Sequence, residues 1–373
     1  MSPNHRLSRL VLSVASAAGV VGAICPELAG ASTPVSVNVV GYSVVGPAYK
    51  ALEAAFQATP TGQNVVFTNS FGASDTQTTN IANGQPADLV NLSYGSNVST
   101  LVSAGKVPSN WTTQELSVAG VNPAAIGAGQ KTVYSTPGIV TDSVVVFVVR
   151  PGNPLHLKNW ADLIRSGVHV VTPNPLTSGS AKWNLLAGFS SQLSLGHSAN
   201  AGQDYLKSLI KNTISQPVSG SAAMATFVAG TGNVLLDYED NARAALAAGK
   251  PIQVVTPFTS LLIENPVALT NSGSTNSGAK AFYKYLFSAA GQGILASLGY
   301  RSVLKSVWGA TKSQFPAFKT VLSLYTIGKL AKNGWATLDP QFFGSKITFT
   351  ARDRVHPTAG IVTYLEQFAG QTA

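Results

Sequence analysis

The chain has 373 residues, enough to bury one large core or two, and 45% apolar against 10% charged residues favours a packed globular protein over a disordered one. Its 24 Lys and Arg exceed its 15 Asp and Glu, giving a formal charge of +9, but they stand singly with no basic run and no aromatic ladder; this suits a general attraction for anions and speaks against nucleic acid. The single cysteine, Cys25, excludes an internal disulfide, and the five histidines at 5, 156, 169, 197 and 356 lack metal-ligand spacing.

The N-terminus reads as a targeting segment. Arg6 and Arg9 precede an apolar run from Leu10 to Ile24, and Ala29-Gly30-Ala31 offers a small-residue cleavage site, so residues 1–31 are assigned to a signal peptide. The apolar run is short for a membrane span. Export to the periplasm or the outer face of the cell envelope follows. Cys25 is an alternative lipid-attachment site, although Ile24 stands where that motif has a small residue.

Beyond it, strands and helices alternate. Val35 to Val40 is a β-rich run that ends in Gly41-Tyr42-Ser43, and Tyr49, Leu52 and Phe56 mark one face of the next helix. Val65 to Asn69 is the second strand, followed by the turn Ser70 to Asp75 and a helix from Thr76 to Asn83; Asp88 to Leu92 is the third strand. Val144 to Arg150 is the most β-prone run in the chain, Trp160 to Ile164 a short helix, and His169 to Thr172 another strand. Two prolines then hold Thr172 to Pro175 extended, and Thr177 or Ser178 caps a helix marked by Leu185, Leu186 and Phe189. Ser219 to Ala222 is a further small-residue turn before a helix through Phe227. Asn233 to Tyr238, Ile252 to Thr256 and Pro266 to Thr270 read as strands, Ala242 to Ala248 as a helix, and Ala281 to Leu298 as one amphipathic helix.

This alternation predicts an α/β fold with parallel-rich sheets flanked by helices. The chain leaves a first lobe near Ile139 and returns near Glu264, dividing it into residues 32–139, 140–263 and 264–373, with a ligand cleft between two lobes at the carboxyl ends of the strands. Free amides at helix N-termini behind small residues make an anion site there.

The segment Thr172 to Asn184, T-P-N-P-L-T-S-G-S-A-K-W-N, resembles the signature of the sulfate-binding proteins, the extracytoplasmic receptors of sulfate/thiosulfate ABC importers, and further segments extend the likeness from about Val37 to Tyr300. The resemblance implies the two-lobed type II periplasmic-binding-protein fold, a sulfate or thiosulfate ligand, ABC permease subunits as partners, a monomer, no cofactor and no enzymatic activity. It also implies the ligand set: amides of Ser43, Ser74, Gly179, Ser180 and either Gly220 or Ser221, the Ser178 hydroxyl, and Tyr238 in the place of a family tryptophan. A phenol also donates one hydrogen bond, so that role can survive.

Asp75 has two readings. Phosphate keeps a proton to donate to a carboxylate whereas sulfate does not, so Asp75 turned into the cleft would point to a phosphate or other tetrahedral-oxyanion receptor of the same fold. The favoured reading leaves its carboxylate in solvent at a helix N-terminus. Enzymatic motifs fall short: Ser178-Gly179-Ser180-Ala181-Lys182 misses S-x-x-K by one residue, and Glu239 and Asp240, read as adjacent on an extended chain, would face opposite ways. Trp111, Trp160 and Trp183 are assigned to core packing.

Overall fold

The alternating valines of β1 (Val35–Tyr42) put Val37 and Val39 at zero exposure, and the strand lies between two parallel neighbours, β2 (Val65–Gly72) and β3 (Leu89–Asn91). A 3-10 turn, Ser43–Val45, leads into α1 (Gly46–Gln57), whose Tyr49, Leu52 and Phe56 are buried; α2 (Ser74–Ala82) follows β2, and α3 (Gly95–Ser103) follows β3. These elements belong to a computed structural model that describes residues 33–114, 138–318, 323–344 and 360–368. The expected signal segment and Cys25 lie outside the described residues.

The second half of the sheet is built on β4 (Ile139–Val149), buried along its whole length, with Val145, Phe147 and Val149 on one core face and Val144, Val146 and Val148 on the other. β5 (Val170–Val171) pairs in parallel with β6 (Thr213–Ser215) and β7 (Val234–Tyr238). Between them run α4 (Gly179–Ser194), α5 (Ala199–Asn212) and α6 (Gly220–Val228), and α7 (Glu239–Ala247) follows β7. β8 (Gln253–Val255) and the ten-residue β9 (Ser260–Leu269) both run antiparallel to β4. The full order is β2-β1-β3-β9-β4-β7-β5-β6, so the β9–β4 pair joins a half containing β1–β3 to a half containing β5–β7.

Three expectations change. β9 begins six residues before the predicted Pro266, because Leu261, Leu262 and Ile263 are fully buried against β4. The single helix expected over Ala281 to Leu298 is two, α8 (Ser277–Leu286) and α9 (Ala289–Ser297). Ser288 breaks it: its hydroxyl bonds Tyr285 O at 2.7 Å and accepts from Gly291 N at 3.1 Å, a local cap that competes with continued helix. Helix α5 lies where the sequence reading places no element, and its Tyr205, Leu206, Leu209 and Ile210, at helical spacing, are buried.

The tail contributes α10 (Lys305–Thr311), β10 (Leu324–Tyr325) beside β9, α11 (Ile327–Leu330), α12 (Trp335–Phe343) and α13 (Ile361–Phe368). α12 packs Trp335 between Tyr94 and Trp183, with ring centroids 4.6 and 4.8 Å away. No helix among the described residues is long and apolar enough to cross a membrane.

Candidate functional site

Four helical starts, the 3-10 turn at Ser43, α2, α4 and α6, follow the carboxyl ends of β1, β2, β5 and β6. Their first-turn amides have no acceptor within their own helix. At the residue before the 3-10 turn, Tyr42, and before α2 and α4, Ala73 and Ser178, no side chain caps the turn. Ser178, one of the two expected caps, holds the N-cap position of α4, but its hydroxyl lies 2.8 Å from that of Ser180 and bonds no backbone amide of the helix. Only α6 is capped, by Ser219 Oγ accepting from Ala222 N at 3.2 Å. Uncapped first turns present partial positive charge.

Several contacts bring these starts together across the two halves of the sheet. Asp75 N donates to Thr177 O at 3.1 Å, and Ser221 N donates to Ser43 Oγ at 3.3 Å. Close approach explains two glycines: a Cβ at Gly179 would lie 2.5 Å from Ser93 Cβ, and one at Gly220 would lie 3.0 Å from Val44 Cγ1 and 3.2 Å from Ser180 Oγ. Ser74, Ser178, Gly179, Ser180 and Gly220 are all buried, Ser43 is half-buried and Ser221 exposed.

Tyr238 ends β7 with zero exposure, its ring 6.3 Å from that of Tyr42, the residue before the 3-10 turn. Burial pushes its phenol well above the ordinary tyrosine range, and its hydroxyl, although set beside Ser93 and Asn265, has no hydrogen-bond partner. Such a group is a buried donor still to be satisfied.

Ser93 and Asn265 join the site although neither is among the residues expected from the sequence. Ser74 Oγ donates to Ser93 Oγ at 2.7 Å and accepts from Ser93 N at 3.0 Å. The Ser93 carbonyl accepts from Trp183 Nε1 at 2.8 Å and Asn265 Nδ2 at 2.9 Å, while Asn265 Oδ1 accepts from the Tyr42 hydroxyl at 3.2 Å. Leu92-Ser93-Tyr94-Gly95 is a fifth small-residue turn at a strand end, the signal that could have marked Ser93; Asn265, inside β9, had none. The three tryptophans assigned to packing are buried, and Trp160 and Trp183 also donate to backbone carbonyls.

Asp75 is not in solvent as expected. Its Oδ1 accepts from Tyr94 OH at 2.9 Å and Asn97 Nδ2 at 2.7 Å, and its Oδ2 lies 3.1 Å from Lys182 Nζ. Lys182 in turn meets Asp339 at 2.9 Å and the Tyr94 hydroxyl. Lys182, in the first turn of α4 and against the first turn of α2, is therefore bound to two carboxylates. Glu239 and Asp240 also differ from expectation: they open α7 instead of continuing a strand, and both are buried. Glu239 is paired with Arg301 at 2.7 Å, whereas the Asp240 carboxyl has no charged partner, only the Ser143 and Tyr300 hydroxyls beside it, and burial raises its pKa to about 7.

The arrangement offers neutral, oriented backbone and hydroxyl donors, most of them buried, and Lys182 beside them is paired, which suits a fully deprotonated tetrahedral anion. The profile of the bacterial extracellular solute-binding proteins matches residues 37–301. The sulfate-binding protein of Synechococcus elongatus is 31% identical over 322 residues, covering 84% of this chain and 85% of its own. That of Salmonella typhimurium is 33% identical over 321 residues, covering 83% of this chain and 90% of its own. Among solved structures, the sulfate-binding protein SubI from Mycobacterium tuberculosis superposes with a TM-score of 0.73 at 38% identity, over 83% of this chain and 99% of that one.

Proposed function

We propose that this chain, which belongs to the bacterial extracellular solute-binding proteins, captures sulfate or thiosulfate between two lobes and delivers it to the permease of an ABC importer. The observation that carries this reading is the meeting of three uncapped helical starts beside a lysine already neutralised by Asp75 and Asp339. A dianion stripped of water is then held by amide and hydroxyl donors instead of a counter-charge.

In this reading the amides of Ser43, Ser74, Gly179 and Ser180 face the anion. Ser221 N already donates to Ser43 Oγ, which favours Gly220 for the remaining amide position. Of the Ser178 and Ser180 hydroxyls, one donates to the other and the second is left for the ligand. Tyr238 supplies a phenol proton. Residues 32–139 form one lobe, to which the chain returns at 264 before its C-terminal helices and tail, and 140–263 form the other, with β4 and β9 carrying the crossings. The mature protein acts as an exported monomer after loss of residues 1–31, or stays attached through Cys25, and performs no reaction on its ligand.

Phosphate is disfavoured because Asp75 is turned to Tyr94, Asn97 and Lys182, which already supply its carboxylate with donors, so it need not take a phosphate proton. Calorimetric titration of the dialysed mature chain at pH 7 tests this: sulfate should bind tightly and phosphate should give no heat. Phosphate binding that is lost in Asp75→Asn would move the protein to the alternative class.

A further inference from the structure

We propose that Asp75 and Lys182 form a clasp between the lobes, making Lys182 a positioning residue for anion capture and not a ligand. The inference rests on the anion-receptor reading above and assigns a role to two charges which that reading leaves out of the ligand set.

Asp75 lies one residue from Ser74 at the start of α2, in the half of the sheet built on β1–β3; Lys182 lies in the first turn of α4, in the half built on β5–β7. The pair at 3.1 Å therefore spans both halves and pins together two of the helical starts that face the anion. Its surroundings hold the charges in one geometry. The Lys182 side chain is 7% exposed and that of Asp75 20%; Tyr94 and Asn97 fix the carboxylate, and Lys182 Nζ sits 4.6 Å above the Tyr94 ring. Asp339 of α12 takes a second side of the ammonium, so the tail of the chain joins the clasp.

When the lobes part, both charges regain water and lose each other, so the attraction contributes only to the closed form. A ligand-enclosing form stabilised in this way releases its anion more slowly. Neutralisation matters equally: a bare carboxylate one residue from Ser74 would repel a dianion, and Lys182 removes that charge without placing a cation against the ligand.

The sign of one substitution separates this role from direct contact. If Asp75 merely repelled the anion, Asp75→Asn would tighten sulfate; as half of a clasp, it must weaken it. Asp75→Asn and Lys182→Met should each weaken sulfate binding roughly tenfold, with the loss in the dissociation rate, and the double variant should be little worse than either alone. Lys182→Arg should retain most of the affinity. Tighter sulfate binding by Asp75→Asn, or a lowered melting temperature of the anion-free protein with an unchanged dissociation rate, would overturn the clasp. If the wild type binds neither sulfate nor thiosulfate, the receptor reading fails by itself. The closed form must then be held by the pair without ligand, and Lys182→Met must enlarge the radius of gyration in small-angle scattering; an unchanged radius would sink the clasp too.

Discussion

The indole nitrogen of Trp183, in α4, donates at 2.8 Å to the carbonyl of Ser93, in the turn after β3, so a fully buried core side chain also ties one half of the sheet to the other. Trp183→Phe keeps an aromatic ring in the core but loses the bond and part of the indole volume, which lowers stability. Asn265 still serves the Ser93 carbonyl, which limits the hydrogen-bond part of the cost to about 1 kcal/mol, or about fivefold in sulfate affinity. Titration of the variant against the wild type measures it.

Gly179 meets the same turn with no room for a methyl group, since a Cβ would lie 2.5 Å from Ser93 Cβ and 2.7 Å from the Tyr94 ring. Gly179→Ala should obstruct closure while leaving each half folded. Sulfate affinity should fall by at least about tenfold, the scale of a 1–3 kcal/mol packing clash, with little change in anion-free melting temperature.

Tyr238 offers the one buried hydroxyl of the ligand set that has no partner. Burial keeps it protonated, so it remains a donor at neutral pH. Tyr238→Phe should cost roughly 1.5–3 kcal/mol of sulfate binding, as for a hydrogen bond to a charged acceptor, and leave stability nearly unchanged. Tyr238→Trp should bind more tightly than Tyr238→Phe. Equal affinities for wild type and Tyr238→Phe would remove Tyr238 from the ligand set.

Glu239 and Arg301 form a buried pair at 2.7 Å, with side chains 2% and 4% exposed. Arg301→Met strands the carboxylate, and urea unfolding should register a loss of about 3–5 kcal/mol. The double change Glu239→Gln with Arg301→Met should recover part of it.

Asp240 carries a pH signature. Burial raises its folded pKa to about 7 from an ordinary aspartate value, with the Glu239 charge adding to the rise and Ser143 and Tyr300 opposing it. A carboxyl with a raised folded pKa binds more protons folded than unfolded between those values. Its favourable contribution is therefore complete at acid pH and is lost as pH rises through about 7. Asp240→Asn should stabilise the protein at pH 8 by roughly 2 kcal/mol and make no difference near pH 4, as read from melting curves across that range.

Most elements were legible in the chain because their signals are local. Alternating valines mark β1, the spacing of Tyr49, Leu52 and Phe56 marks α1, and Trp160 to Ile164 is the short helix expected there. Small-residue turns at strand ends marked the helix starts, since these depend on only a few neighbouring residues, whereas the anion-receptor expectation came from the resemblance carried by the run from Thr172 to Asn184. Tertiary structure alone decided which groups meet. Asp75 looked like a solvated first-turn acid until Lys182 reached it from the other half of the sheet, and Lys182 meets Asp339 157 positions along the chain. Ser93 and Asn265 are a serine and an asparagine like many others until the strand order brings β3 beside β9. Local propensity acts over a helical turn or a strand pair, whereas a buried charge or an unpaired hydroxyl takes its partner from whatever the fold packs against it, and no spacing along the chain encodes that choice.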